Sequence, residues 1–200
     1  MPSPARVTPL PLTRLPEGVS TASLVLRARK RDGAAESLLY RRYAADLLNI
    51  VSRLLRNTSA AEDVVHDTFL LVFERLGQLR DPAQFRAWAL SISVSLVRKR
   101  LRRARLLQWV GLDSLTTAPL ELQARDGLSV EARGELAVLD VVLQALPTEQ
   151  RLAWSLRYIE GDKLDEVALA LGKSLATTKR YIAAAERRIA AHVQLEEDST

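Results

Sequence analysis

The sequence contains no cysteine and only two histidines, His66 and His192, among its 200 residues. Without thiols the chain can form neither disulfides nor thiolate metal sites, which fits a reducing cytoplasm. Neither histidine has a neighbour at metal-ligand spacing. We therefore expect no metal and no cofactor. Because the chain also lacks a glycine-rich phosphate loop and a nucleophile beside a base, an enzyme is the least favoured class.

Long apolar runs are absent too. No uninterrupted apolar stretch approaches the roughly 18 residues that a bilayer crossing needs, so we expect no membrane insertion and a cytoplasmic location. Residues 1–22 lack the apolar core of a signal peptide. Prolines at positions 2, 4, 9, 11 and 16 predict that this segment is an extended or disordered tail.

Glycine and proline are scarce, with 8 of each, whereas hydrophobic residues make up 48% of the chain. The rest is rich in leucine, alanine, arginine and glutamate, which favour helices, so we predict an all-α protein. Helical periodicity covers 23–105 and 134–193 and is lost between them. These patterns predict two small helical domains, joined by a flexible linker over 106–133 with a short helix at 106–110, and a frayed tail over 194–200.

The net charge of +5 is unevenly distributed. Residues 24–104 carry a net charge of +8, whereas residues 134–200 carry −3. The excess of positive charge in the first half indicates a polyanion as a partner.

Several helix boundaries can be predicted from local signals. Asp32-Gly33 separates a first helix from a second. Ser59 followed by Glu62 predicts a capping box at the start of a third helix, which should end at Gly77. Asp81-Pro82 then starts a helix that buries Phe85 and Trp88.

The C-terminal end of that fourth helix is strongly basic. Its cations are Arg98, Lys99, Arg100, Arg102, Arg103 and Arg105. The helix dipole accounts for one or two cations there, but so many repel one another unless an anion compensates, which favours contact with phosphates.

Residues 164–189 are typical of a helix-turn-helix unit. Gly172 permits the positive φ that the turn needs, and Ser174 stands near the start of the second helix. The hydroxyls and cations on its first turns suit a DNA major groove. The alternative is an ordinary helical hairpin with a solvated basic face.

Two further features each allow two interpretations. The acidic face around Asp63 and Asp67 is either a solvated helix surface or a protein-docking surface. The polar loop 77–81, above the aromatic Phe85 and Trp88, either is simply a connection or holds an unstacked base.

Together these segments resemble a known family. AEDVVHDTFLLVFERL (61–76) and FRAWALSISVSLVRKRLRR (85–103) resemble the second conserved region of the sigma-70 family of sigma factors. LPTEQRLAWSLRYIEGDKLDEVALALGKSLATTKRYIAAAERRI (146–189) resembles the fourth region. No segment resembles the third region, which points to the short extracytoplasmic-function group. The resemblance implies an alternative sigma factor that binds RNA polymerase core and directs it to promoters.

The resemblance also implies a role for each matching segment. The residues expected to bind the clamp helices of the largest polymerase subunit are Glu62, Asp63, His66 and Asp67. Those expected at the −10 element are Gln78, Leu79, Arg80, Asp81 and Trp88. Those expected on the DNA backbone are Arg98, Lys99, Arg100, Arg102 and Arg103. Those expected at the −35 element are Lys173, Ser174, Thr177, Thr178, Lys179, Arg180, Arg187 and Arg188. The polymerase flap and an anti-sigma factor are further expected partners, and the linker would thread toward the RNA exit path.

Some positions depart from the family pattern. They are His66 for glutamine, Asp67 for glutamate, Ser95 for asparagine, Lys99 for an acidic residue, Leu164 for a capping serine or threonine, and Thr178 for valine. Thr178 places a polar group where the helix pair normally packs. These departures predict a divergent subgroup with its own promoter preference.

Two other functions stay open from the sequence. A regulator that uses 134–193 alone would bind a palindromic operator as a dimer without polymerase. A sigma-like protein that sequesters an anti-sigma factor would fail to bind core but would still bind the antagonist.

Overall fold

The computed structural model describes residues 18–109 and 139–197, and within them it contains helices and connecting turns but no strand. The helices are α1 (Thr21–Ala28), α2 (Gly33–Leu55), α3 (Thr58–Arg75), α4 (Phe85–Trp109), α5 (139–145), α6 (Thr148–Trp154), α7 (Leu164–Leu171) and α8 (Leu175–Glu197). Two 3₁₀ turns, Leu76–Gln78 and Pro82–Gln84, connect α3 to α4, and a π-helical turn, Ser155–Ile159, follows α6. The predicted all-α class is confirmed.

Several predicted segments lie partly outside the described residues. These are the tail 1–22, most of the linker 106–133, and the last residues of the tail 194–200. A separate short helix at 106–110 is wrong, because α4 continues without a break to Trp109. Residues 98–109 contain no glycine, no proline and no serine, threonine, aspartate or asparagine, so no local signal ends the helix before Trp109.

The break between α1 and α2 lies where it was predicted. Asp32 is the N-cap of α2, and its Oδ1 accepts hydrogen bonds from Ala34 N at 3.0 Å and Ala35 N at 3.2 Å. The hydrogen bond that Arg27 donates to its other oxygen lowers the pKa of the Asp32 carboxyl below its usual value. The cap therefore stays charged beside the positive end of the helix dipole.

The junction between α2 and α3 differs from the prediction. Arg56 takes a left-handed conformation with φ 55°, and Asn57 caps α3 by accepting a hydrogen bond from Ala60 N at 2.7 Å. Ser59 is therefore inside the first turn, and the capping box predicted for it is wrong. Asparagine caps as well as serine does, and the chain turns at Arg56, so the earlier residue takes the position. The α-helix also ends before the predicted Gly77, at Arg75, and tightens into a 3₁₀ turn.

The helices α1 to α4 pack around one apolar core. Phe85 is fully buried at the start of α4, and its ring centroid lies 5.1 Å from that of Tyr43 on α2. Inside the core, Thr68 Oγ1 on α3 lies 3.1 Å from Ser93 Oγ on α4, and it also donates to Val64 O at 2.7 Å. Ser93 Oγ likewise donates to Ala89 O at 3.1 Å, so each hydroxyl has a carbonyl acceptor on its own helix and its burial costs little free energy.

The helices α5 to α8 form the second unit, whose turns depend on two glycines. Gly161 with φ 73° ends the π-helical turn, and Gly172 with φ 59° forms the turn between α7 and α8. Leu164 cannot cap α7, and the Glu166 carboxylate instead accepts a hydrogen bond from Lys163 N at 2.8 Å. This contact satisfies the backbone N–H of the N-cap residue Lys163, which is the other half of a capping box from the bond that a serine or threonine side chain would accept.

The two units pack against each other. The core of α1 to α4 continues into α6, α7 and α8 through Leu152, Leu156, Val167, Leu171 and Ile182. A smaller cluster of Leu143, Leu146 and Ala185 belongs to the second unit alone. The described residues therefore form two helical units with a shared apolar interface, although the sequence predicted only a flexible connection between them.

Candidate binding surfaces

The acidic face of α3 is exposed as the sequence indicated. Its members are Glu62, Asp63, His66 and Asp67, all exposed, whereas Val64 and Val65 point into the core. Asp63 Oδ2 lies 3.3 Å from Nη1 of Arg100 on α4, so one cation of the basic helix end pairs with this face. Within the described part of the chain, the exposed carboxylates of Glu62 and Asp67 form no ion pair, so α3 presents a negative surface to a partner.

The loop between α3 and α4 is anchored at one position and open at the rest. Gln78, Arg80 and Asp81 are exposed, but Leu79 is buried in the core. Arg29 on α1 donates to the carbonyls of Leu76, at 3.2 Å, and of Leu79. The proposal that Leu79 itself contacts DNA is therefore wrong for this conformation, because its apolar side chain is a core anchor.

The α4 end of this loop matches the prediction. Asp81 caps the turn by accepting a hydrogen bond from Ala83 N at 2.9 Å. Trp88, one turn along α4, is half-buried and packs against the core. The Asp81 cap therefore holds the backbone at this end of the loop, and the core holds the Trp88 ring one turn away.

The cations at the basic end of α4 differ in exposure. Lys99, Arg102, Arg103 and Arg105 are exposed. Arg98 is not, because its Nε lies 3.0 Å from the Glu149 carboxylate and its Nη2 donates to Leu171 O at 2.7 Å. In this conformation the second unit occupies the Arg98 guanidinium, and a contact of Arg98 with DNA stays a prediction.

The helix-turn-helix unit is formed by α7, the turn at Gly172 and α8. Ser174 caps α8, since its Oγ accepts a hydrogen bond from Thr177 N at 3.2 Å. Arg180 Nη2 donates to Thr177 Oγ1 at 3.2 Å, so these two side chains orient each other on the first turns. The exposed polar residues of this surface are Lys173, Ser174, Lys179, Arg180, Arg187 and Arg188.

Thr178 does not belong to that surface. It is fully buried, and its Oγ1 donates to Ser174 O at 3.0 Å. Its predicted role at the −35 element is therefore wrong for this structure. Because the hydroxyl donates its hydrogen bond to a carbonyl at the start of its own helix, threonine replaces the usual valine without leaving an unpaired polar group.

Residues that sequence reasoning missed lie between the two units. Arg86 on α4 contacts Asp46 on α2 at 2.8 Å and Asp162, just before α7, at 2.9 Å. Burial lowers the pKa of Arg86, but the hydrogen bonds to the two carboxylates outweigh it and raise the pKa above its usual value. The opposite net charges of the two halves were the signal that could have predicted such pairs.

Asp162 is the most buried partner in this group, with 4% of its side chain exposed. Burial raises the pKa of its carboxyl above 3.8, and the hydrogen bond from Arg86 opposes that rise. Because its pKa is higher in the folded protein, the folded state holds a proton that the unfolded state has released. Stability should therefore fall as the pH rises from 3.8 through the folded pKa.

We expect Asp162→Asn to remove this contribution, since the amide keeps the shape but cannot ionise. Urea unfolding of wild type and variant across this pH range measures the difference in slope. Asp165→Asn, at an exposed carboxylate of the same unit, should keep the wild-type slope. Equal slopes for wild type and Asp162→Asn would contradict the assignment.

The described residues contain neither a metal-binding cluster nor a helix that could span a membrane. The described residues include no cluster of three or more His, Asp or Glu that could hold a metal ion. Among the described helices, none combines the length and hydropathy that a bilayer crossing requires.

Two family models match the chain in the order of its two units. Sigma-70 region 2 matches residues 39–106, and Sigma-70 region 4 matches residues 136–189. The first match holds the acidic face, the loop and all six cations of the basic helix end. The second holds the helix-turn-helix unit.

Relatives from several bacteria agree with these matches. The probable RNA polymerase sigma factor RfaY of Xanthomonas campestris is 32% identical over 70% of this chain, although the match spans only 36% of that relative. The ferric citrate uptake sigma factor FecI of Escherichia coli is 30% identical over 74% of this chain and 84% of its own. CarQ of Myxococcus xanthus is 30% identical over 73% and 83%.

Solved structures share the fold. CnrH, in complex with the cytosolic domain of CnrY, aligns with a TM-score of 0.62 at 24% identity over 88% of this chain and 97% of its own. The sigma factor RpoE of Bartonella quintana, in complex with the anti-sigma factor NepR, aligns with a TM-score of 0.57 at 21% identity over 79% and 96%. Two matched regions in order, alignment along most of the length of FecI and CarQ, and a shared fold lead to one conclusion: this chain belongs to the sigma-70 family of RNA polymerase sigma factors, in the extracytoplasmic-function group.

Proposed function

We propose that this alternative sigma factor binds polymerase core through the acidic face of α3 and binds promoters through the α3–α4 loop, the basic end of α4 and α8. The observation that carries the proposal is the separation of charge between surfaces. The acidic side chains of α3 and the cations of α8 are both exposed, and they stand on helices whose other faces are buried. Helix α3 of the first unit therefore offers a negative docking surface, and α8 of the second unit offers a positive surface on a single helix.

The activity is binding rather than covalent chemistry. The exposed cations of α4 and α8 contact phosphates, which positions the protein on the duplex. Lys179 and Arg180 stand on the first turns of α8, where side chains of a recognition helix reach base edges. Unpaired bases then stack beside Trp88, and each captured base contributes about 1–3 kcal/mol toward melting.

Location and regulation follow from this function. We propose that the chain acts in the cytoplasm, where bacterial polymerase meets its promoters. We also propose that an anti-sigma factor restrains it, which is supported by the RpoE–NepR complex among the structures of the same fold.

Charge reversal on α3 tests the docking surface. We expect Asp67→Lys to weaken core binding by about tenfold or more, because a like charge at a protein interface both removes an attraction and adds a repulsion. Asp67 is exposed, so the fold should be unaffected. Gel filtration and fluorescence anisotropy with purified core measure the affinity of each variant.

Asp165→Lys is the matched control, since it makes the same change at an exposed position of α7. Equal affinities of the two variants for core would contradict docking through α3. If the wild-type chain elutes apart from a core that still binds another sigma factor, the sigma function fails. Sequestration of an anti-sigma factor would then become the leading alternative.

A further inference from the structure

Helix α5 brings two arginines from distant parts of the chain side by side. Asp140 Oδ2 lies 2.6 Å from Nη2 of Arg56, the residue that follows α2. One turn further along α5, Gln144 Oε1 accepts a hydrogen bond of 2.6 Å from Nη1 of Arg151 on α6. Residues four apart on a helix are neighbours on one face, so the two guanidinium groups lie next to each other over α5.

Arg105 on α4 is the third cation of this arginine cluster. It stands two turns after Arg98, on the same face of α4. Arg98 contacts Glu149 in the first turn of α6, which is also the turn that carries Arg151. Arg105 is exposed, whereas Arg151 is half-buried and only 16% of the Arg56 side chain is exposed. The cluster is therefore largely covered and opens to solvent at Arg105.

The arginine cluster holds more positive than negative charge. Among the described residues, Asp140 is the only carboxylate that forms an ion pair with Arg56, Arg105 or Arg151, and it pairs with Arg56. Three guanidinium groups and one carboxylate leave two positive charges uncompensated. Burial, and then repulsion from Arg105 and Arg56, lowers the pKa of Arg151 below its usual value, and attraction from Asp140 opposes this shift. An additional anion would therefore stabilise the cluster.

The cluster also contains unused hydrogen-bond donors. Arg56 Nε and Arg151 Nε are buried and have no hydrogen-bond partner among the described residues. A buried N–H without an acceptor costs free energy, which an acceptor that enters the cluster would recover. Arg56 also has a left-handed backbone with φ 55°, a conformation that glycine and asparagine adopt more readily. Backbone preference therefore does not explain an arginine at this turn.

We propose that Arg56, Arg105 and Arg151 form a binding site for the phosphate group of a small molecule. Phosphate oxygens accept hydrogen bonds from several arginines at once. A phosphate monoester carries a charge of about −1.5 to −2 at neutral pH, which matches the uncompensated charge of the cluster. The covered positions of Arg56 and Arg151 suit a free phosphorylated molecule better than the backbone of a wide duplex. Neither residue belongs to the surfaces proposed for core or promoter, so this site is additional to the sigma function.

Inorganic phosphate is the probe for this site, because it presents the same oxygens without a sugar or a base. Isothermal titration calorimetry on the full chain, at constant ionic strength, measures its affinity. We expect one phosphate per chain, and binding at least about tenfold weaker for Arg151→Gln and for Arg105→Gln, since each loses a charge-assisted hydrogen bond. Arg41→Gln removes an exposed cation of α2 outside the cluster and should bind phosphate as the wild type does.

Thermal unfolding separates a ligand site from a structural role of Arg151. In phosphate-free buffer, Arg151→Gln should be at least as stable as the wild type, because it removes a half-buried cation and its repulsion. At a phosphate concentration about a hundredfold above the dissociation constant, the midpoint of the wild type should rise by about 5–10 °C more than that of the variant. The two proteins must be compared because phosphate also stabilises proteins generally, by exclusion from their surfaces.

A wild-type chain that binds no phosphate would overturn the proposal, and so would equal phosphate affinities for the wild type and Arg151→Gln. A variant less stable than the wild type in phosphate-free buffer would contradict it too, because Arg151 would then already have a counterion within the protein. Non-specific duplex DNA should bind the wild type and Arg151→Gln equally in fluorescence anisotropy at low salt. Weaker DNA binding by the variant would assign the cluster to the DNA backbone instead of a small molecule.

Discussion

Replacing Phe85 by alanine should lower the free energy of unfolding by about 3–5 kcal/mol, the largest loss of stability that we expect from a single change. The ring is fully buried at the first residue of α4 and packs against Tyr43 of α2. Its removal leaves a cavity where the helices meet, and rigid neighbours prevent that cavity from collapsing. Urea unfolding of the full chain, followed by far-ultraviolet circular dichroism, measures the change.

Leu106→Ala is the matched control for this prediction. It also removes an apolar side chain from α4, but 63% of Leu106 is exposed, so stability should change by no more than about 0.5 kcal/mol. A loss below about 1 kcal/mol for Phe85→Ala would show that the surrounding helices close the gap, and that this aromatic residue does not hold the start of α4.

Simultaneous replacement of Lys179 and Arg180 by alanine should weaken binding of the holoenzyme to its promoter by at least about 30-fold. Both side chains are exposed on the first turns of α8, and each base contact contributes about 1–3 kcal/mol of discrimination. The Gly172 turn and the Ser174 cap do not involve the two removed side chains, so the helix itself should persist. Electrophoretic mobility shift at constant salt, on a promoter selected with the wild-type holoenzyme, provides the measurement.

The control for that variant removes the same charge elsewhere. Lys30→Ala/Arg41→Ala deletes two exposed cations of the first unit, which lie outside the proposed DNA surface. It should change promoter affinity by less than threefold or so, through the general electrostatic field alone. If both double variants lost affinity equally, α8 would contribute only net charge, and the assignment of Lys179 and Arg180 to base recognition would be contradicted.

Elements governed by short-range signals were predictable from the sequence. Asp32 and Asp81 cap the turns at which they were expected, because a cap bonds to backbone groups two or three residues away. Gly172 ends α7 for the same local reason. Ser59 shows where this reasoning fails, because Asn57 offers an equivalent cap and only the turn at Arg56 decides between them.

The outcome for single side chains depended on packing. Leu79 and Thr178 stand in segments that face DNA in the family, yet both are buried here. For Thr178, a rotation of one residue about the axis of α8 decides whether the side chain reaches a groove or a core. Leu79 lies in the connection between α3 and α4, whose carbonyls accept hydrogen bonds from Arg29 of α1. Both outcomes depend on the neighbouring helices.

By itself, the sequence determined the helical class, the helix-turn-helix unit, the acidic and basic surfaces, and the resemblance to sigma factors. Each of these depends on residues close together in the chain or on net composition. Only the tertiary structure decided that Arg86 meets Asp162 and that Arg53 meets Glu160, across sequence separations of 76 and 107 residues. The physical reason is that opposite charges in two segments predict an attraction but not its partners. Which arginine meets which carboxylate depends on how α4 and α7 pack.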